Sequence, residues 1–113
     1  MPTMDLYLNK HLELQFEVSD KPIKIGRSSA CDLCVNDPLV SREHAEIRPT
    51  PEGYLLVNLS QFGTRLNQDL VKESRLLAFG DRLYLGARHA IIFEKDGKVA
   101  YCETMLPGQL PKV

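Results

Sequence analysis

The sequence predicts an all-β protein, and three observations carry that prediction. Short apolar segments with a two-residue period recur along most of the chain. Clusters of Gly, Pro, Asn, Asp and Ser separate them at short intervals. No apolar run exceeds about four residues, too few for a membrane-spanning helix. About ten short strands punctuated in this way read as a β-sandwich or barrel.

The elements follow in order. Leu6-Tyr7-Leu8 and the segment His11 to Val18 are joined by Asn9-Lys10. Asn tolerates the left-handed backbone of a tight hairpin. In the second segment Leu12, Leu14, Phe16 and Val18 alternate with polar residues, which predicts a strand with one face in a core. Ile23 and Ile25 form a short strand ending at Gly26. Asp32 to Val35 is another, closed by Asn36-Asp37-Pro38. Ala45 and Ile47 lead into the turn cluster Arg48 to Gly53, and Leu55, Val57 and Leu59 alternate after it. Leu83 and Leu85 lie between Gly80 and Gly86, and Ile91 and Phe93 precede an Asp96-Gly97 turn. Val99 to Cys102 can close a last hairpin. Residues 69–80 admit two readings. One is a helix capped by Asp69 and stopped by Gly80. The other is a short strand and a loop, with Leu76 packing inward.

At 113 residues the chain has the size of one domain. We place that domain at residues 1–102, with 103–113, which hold Pro107, Gly108 and Pro111, as a tail or linker. Apolar residues at 43% and charged residues at 26% argue against a disordered chain. A net charge of −1 disfavours a nucleic-acid binder relying on global positive charge. No basic stretch followed by an apolar one opens the chain, so no signal peptide is expected. Three cysteines cannot all pair, and we expect them reduced in a cytoplasmic protein. Cys31 and Cys34 form a C-x-x-C, but no second paired motif completes a zinc site. They read better as small buried hydrophobes, and no metal or cofactor is expected.

Three polar clusters interrupt the strands: Gly26-Arg27-Ser28-Ser29, Ser41-Arg42-Glu43-His44, and Ser60-Gln61-Phe62-Gly63-Thr64 followed by Asn67. Loops on a rigid sandwich are common places for binding residues. Two guanidinium groups, several hydroxyls and a loosened backbone suit an oxyanion, because arginine presents phosphate with a planar fork.

Taken with the later stretch Gly80-Asp81-Arg82-Leu83-Tyr84-Leu85-Gly86, these clusters resemble the forkhead-associated (FHA) domain family. The family pattern is G-R, S-x-x-H, N-G-T with a further Asn, and G-D-x-x-x-x-G, in that order. The resemblance implies a β-sandwich of about eleven strands with binding loops at one end. It implies a phosphothreonine-dependent interaction module that recruits a phosphorylated protein, with no nucleic acid or membrane as partner. Carried over, Arg27, Ser41 and Arg42 would hold the phosphate. Gly26, His44, Gly63, Thr64 and Asn67 would structure the loops. Gln61 and Phe62 would face the peptide. Phe62 departs from the family, which usually has Asn there to hold the peptide main chain. Phenylalanine cannot make those hydrogen bonds.

Two other functions compete. Phe62, a large apolar group in a binding loop, would suit a degenerate scaffold that binds an unphosphorylated protein surface. A hydrolase would use Ser41 and His44, but three residues apart on a loop, with no acidic residue to orient the His, they make no triad. We expect no enzyme activity.

Overall fold

A computed structural model describes residues 2–95. The Asp96-Gly97 turn, the Val99 to Cys102 hairpin and the tail lie outside them. The described residues hold eleven strands and no helix. They are β1 (Thr3–Leu8), β2 (His11–Glu17), β3 (Ile23–Gly26), β4 (Leu33–Cys34), β5 (Ala45–Thr50), β6 (Gly53–Asn58), β7 (Thr64–Leu66), β8 (Asp69–Val71), β9 (Ser74–Leu76), β10 (Arg82–Leu85) and β11 (His89–Glu94).

They form two sheets. One has six strands in the order β2-β1-β11-β10-β7-β8, and the other has five in the order β4-β3-β5-β6-β9. All pairings are antiparallel except β3 with β4. The inward rows are the predicted alternations of Ile23 and Ile25, Ala45 and Ile47, Leu83 and Leu85, and Ile91 and Phe93, all buried. Burying each large side chain contributes roughly 1.5–3 kcal/mol, so these rows hold the sheets together. Asn9 and Lys10 both have positive φ (50° and 71°), as a two-residue hairpin turn requires.

Several expectations are corrected. The apolar face of His11 to Val18 is only partly in the core: Val18 is buried and Phe16 packs against the core, but Leu12 and Leu14 are 41% and 45% exposed. β2 is an edge strand, and a bulge at Glu13 interrupts its register, with Leu6 opposite Leu14 but Tyr7 opposite Leu12. A bulge shifts side-chain parity, so Leu12 moves to the outer face beside Tyr7. In β6 the core residue is Leu56, paired with Ile47, while Leu55 and Val57 are only half-buried and Leu59 is exposed. Residues 69–76 form two short strands rather than a helix, and Leu76 is exposed. The next residue, Leu77, packs on the core instead. Cys31 is buried as expected, but Cys34 is exposed.

Candidate functional site

The three polar clusters fall on the β3–β4, β4–β5 and β6–β7 connections, and backbone bonds draw them together. The Arg27 amide donates to the Ser41 carbonyl (3.0 Å), and the Ser28 amide to that of Arg42 (3.1 Å). This approach depends on Gly26, where a Cβ would run into the Arg42 carbonyl. Arg27 and Arg42 therefore stand on adjacent strands of chain, both exposed. Neither pairs with a carboxylate among the described residues. The Arg27 Nε donates to the Val40 carbonyl (3.0 Å), which orients the guanidinium.

The Ser41 hydroxyl lies 2.8 Å from that of Ser60, joining the β4–β5 and β6–β7 loops. Ser60 was legible only as a member of its cluster, not as Ser41's partner. Nothing in the sequence marks a contact between residues nineteen apart. Ser60 also accepts from the Phe62 amide (3.1 Å), and its carbonyl accepts from the Gly63 amide and the Asn58 side chain. Asn58 takes bonds from the Ser60 amide and the Thr64 hydroxyl (2.8 Å), and it donates to the Lys72 carbonyl. It is a hub of the β6–β7 loop.

His44 is buried. Its Nδ1 accepts from the Ser41 amide (3.1 Å), so that nitrogen is unprotonated and the ring neutral. Burial lowers its pKa, and a hydrogen bond with the Gly63 backbone pulls the other way. His44 thus binds the same two loops from below and faces away from solvent. Thr64 is fully buried, and Gly63 has φ +87° with Leu70 packed where a Cβ would sit. Gln61 and Phe62 project from the loop, Phe62 with 70% of its surface exposed.

Asn67 stands apart. It sits at φ +56° in the β7–β8 turn, bonds Asp81 and the Arg82 amide, and closes the far end of that sheet. The structure therefore brings Arg27, Ser41, Arg42, Gln61 and Phe62 together over a floor of His44 and Thr64, with Asn67 elsewhere.

The sequence model of the FHA domain family matches residues 23–86, more than half of the chain. The chain belongs to the FHA domain family. It is 30% identical over 87 residues to an oxoglutarate dehydrogenase inhibitor of Corynebacterium jeikeium (strain K411). That match covers 76% of this chain and 59% of the relative, so the chain spans less than two-thirds of the relative's length. Among solved structures it is similar to an FhaA FHA domain in complex with the intracellular domain of Rv3910. The identity there is 30% and the TM-score 0.72, covering 83% of this chain and 100% of that one. An FHA domain solved in work on phosphothreonine-dependent FHA interactions is also 30% identical, with a TM-score of 0.71 over 85% and 99% of the two chains. The FHA domain of the Chlamydia trachomatis protein CT664, at 18% identity and a TM-score of 0.74 over 83% and 96%, shares the fold.

Proposed function

We propose that this FHA domain is a phosphothreonine-dependent interaction module in which Arg27, Ser41 and Arg42 hold the phosphate. One observation supports the reading: the Arg27–Ser41 and Ser28–Arg42 backbone bonds join the two segments that carry Arg27, Ser41 and Arg42, and neither arginine is in an ion pair among the described residues. A phosphate carries about −1.5 to −2 charge at neutral pH. Each charge-assisted hydrogen bond to it contributes roughly 1.5–3 kcal/mol net. Two or three of them, with flanking peptide contacts, reach micromolar affinity, roughly −8 kcal/mol. The 30%-identical FHA domain solved in work on phosphothreonine-dependent interactions supports the same reading. Binding without catalysis fits the local wiring, because the Ser41 hydroxyl meets Ser60 and His44 Nδ1 is occupied by an amide. A cytoplasmic setting belongs to this reading and agrees with the free thiols of Cys31 and Cys34.

Calorimetry with matched phosphothreonine, phosphoserine and unphosphorylated peptides tests it. Arg27→Ala should weaken phosphothreonine binding by more than about tenfold. Circular dichroism should stay unchanged, since Arg27 is exposed. Unaltered affinity in that variant would remove Arg27 from the site.

The 70% exposure of Phe62 favours a second reading, in which the loop docks on an unphosphorylated protein surface.

A further inference from the structure

The outer face of the six-stranded sheet carries a pattern that the loop site does not use. The strand registers line up one row of residues across all six strands: Leu12, Tyr7, Ala90, Tyr84, Arg65 and Leu70. Leu12, Tyr84 and Leu70 are 41%, 39% and 49% exposed, so three of the large exposed apolar side chains share this row. Leu12 reaches it only because of the Glu13 bulge.

Over the middle of the row lies a hollow of about 590 Å³, walled by Tyr7, Tyr84, Ile92, Lys10, Arg82 and Arg88 among others. Its wall holds three cations and no carboxylate. None of the three is in an ion pair among the described residues. Two buried acids lie close by and are already committed, Asp5 to the Thr3 hydroxyl (2.7 Å) and the Gln15 amide (3.3 Å), and Asp37, packed behind Gly86, to the Leu39 and Ala87 amides. The remaining acids of the face, Glu17 and Glu94, lie in the row through Thr3, two residues beyond Asp5's neighbours along the strands. Arg27, Ser41, Arg42, Gln61 and Phe62 do not line the hollow.

We propose that this face is a second docking surface. Its occupant is an extended segment of a partner protein that carries both carboxylates and branched or aromatic apolar side chains on one face, at every second residue. The cations would take the carboxylates, and Tyr7, Tyr84 and Ile92 the apolar groups. Six strands at about 4.8 Å spacing span roughly 24 Å, the length of about seven extended residues. The segment lies across the strands rather than adding to β2, because a bulged edge resists a new strand.

The probe is a seven-residue capped peptide with Glu, Leu, Tyr and Glu at its odd positions and Ser at its even ones, titrated into ¹⁵N-labelled protein. A peptide with Lys in place of Glu and an oligothymidylate serve as controls. Both the unaltered chain and Arg27→Ala are used, so that the loop site is disabled in one arm. The acidic peptide should shift the amides of Tyr7, Tyr84, Ala90 and Ile92 equally in both proteins. Arg82→Glu with Arg88→Glu should weaken it at least tenfold while the spectrum stays dispersed, as both arginines are exposed. Equal binding by the Lys peptide or unchanged affinity after charge reversal would overturn the proposal. So would shifts confined to the loops, or tighter binding of the oligothymidylate. Concentration-dependent shifts of this face without peptide would assign it to a second copy of the chain and overturn it equally.

Discussion

Two histidines of equal burial, His44 and His89, flank the β4–β5 loop that carries Ser41 and Arg42, and they hold it by different means. On the His44 side the attachment is directional. Nδ1 takes the Ser41 amide, the Ser41 and Ser60 hydroxyls meet, and Gly26 admits the Arg42 carbonyl. On the His89 side it is electrostatic. Asp37 accepts from the Leu39 amide (2.9 Å) and the Ala87 amide (3.4 Å), tying the loop to the β10–β11 turn. His89 Nδ1 lies 3.6 Å from the Asp37 carboxylate and makes no hydrogen bond. One flank is built from hydrogen bonds through a histidine and two hydroxyls, and the other from a buried carboxylate beside an imidazole whose Nδ1 has no hydrogen bond among the described residues. The first should govern where Ser41 sits, and the two should respond to acid over different ranges.

The largest expected effect comes from the two glycines under these flanks. In Gly26→Ala the new methyl meets backbone atoms of Arg42 and Glu43, which cannot swing aside. Overpacking costs typically 1–3 kcal/mol and more when backbone must move, so about 3 kcal/mol is expected here. That lowers the melting temperature by on the order of 10–20 °C for a domain of this size. Gly86→Ala also meets an obstacle and sits at φ +64°, but the obstacle is the Asp37 carboxylate, a side chain. Its loss should be smaller by thermal melting. If Gly86→Ala proved the more damaging, the ranking of the two flanks would be reversed.

Next come the histidines themselves. His44→Ala leaves the Ser41 amide without its acceptor, and an unsatisfied buried donor costs about 1–3 kcal/mol. His89→Ala removes a ring of the same burial with no hydrogen bond to lose. Denaturant titration should show His44→Ala the less stable by about that amount, and phosphopeptide binding should fall with it. Equal losses would mean that the Ser41–His44 bond contributes nothing beyond ring packing.

Acid should separate the flanks further. Burial lowers the His44 pKa below its ordinary 6.5, so the unfolded chain binds its proton first and stability declines as pH falls below about that value. The Leu39 amide, more than any other group, lowers the Asp37 pKa below its ordinary 3.8. Its contribution is present above that value and disappears only as pH falls through the lowered pKa. Burial raises the Asp5 pKa, which gives the opposite sign: stability increases as pH falls through the raised value towards 3.8. A stability profile should therefore show a first decline that His44→Gln removes and a final decline that Asp37→Asn removes. A single decline unaffected by either would remove both groups from the acid response.

These flanks mark where the sequence was readable. Strands whose inward residues face the second sheet announced themselves, as Ile23, Ile25, Leu83 and Leu85 did by alternation. The loop motifs also marked segments that the fold brings together, because Gly26 admits the Arg42 carbonyl and His44 accepts from the Ser41 amide. What stayed hidden depends on contacts distant in sequence. The alternation of β2 looked like a core face throughout, but a one-residue bulge turned Leu12 outward and the edge position left Leu14 exposed, while Phe16 still packs on the core. In β6 the run of Tyr54, Leu55, Leu56 and Val57 is apolar at every position, so its period could not say that Leu56 faces in. Asp37 and His89 lie 52 positions apart with no motif linking them, and only the fold brings them together.

The smallest expected change concerns Phe62, which sits on the firm flank yet takes no part in it through its side chain. Its amide is bonded to the Ser60 hydroxyl, while the ring is 70% exposed. Phe62→Asn should therefore leave the brace and the melting temperature unchanged. What it alters is the surface offered to a ligand. An Asn side chain can both donate to and accept from a peptide main chain, which phenylalanine cannot do. A neutral hydrogen bond contributes about 0.5–1.5 kcal/mol net, so one or two gained bonds tighten phosphopeptide binding by roughly two- to a hundredfold. If Phe62 instead anchors an unphosphorylated surface, the same substitution should weaken that interaction, since an aromatic anchor can carry about 2 kcal/mol or more. The two outcomes have opposite signs, and calorimetry against both kinds of ligand reads them separately. A drop in melting temperature without either change would place the ring in the brace after all, and the division between holding the loop and meeting the ligand would fail at this residue.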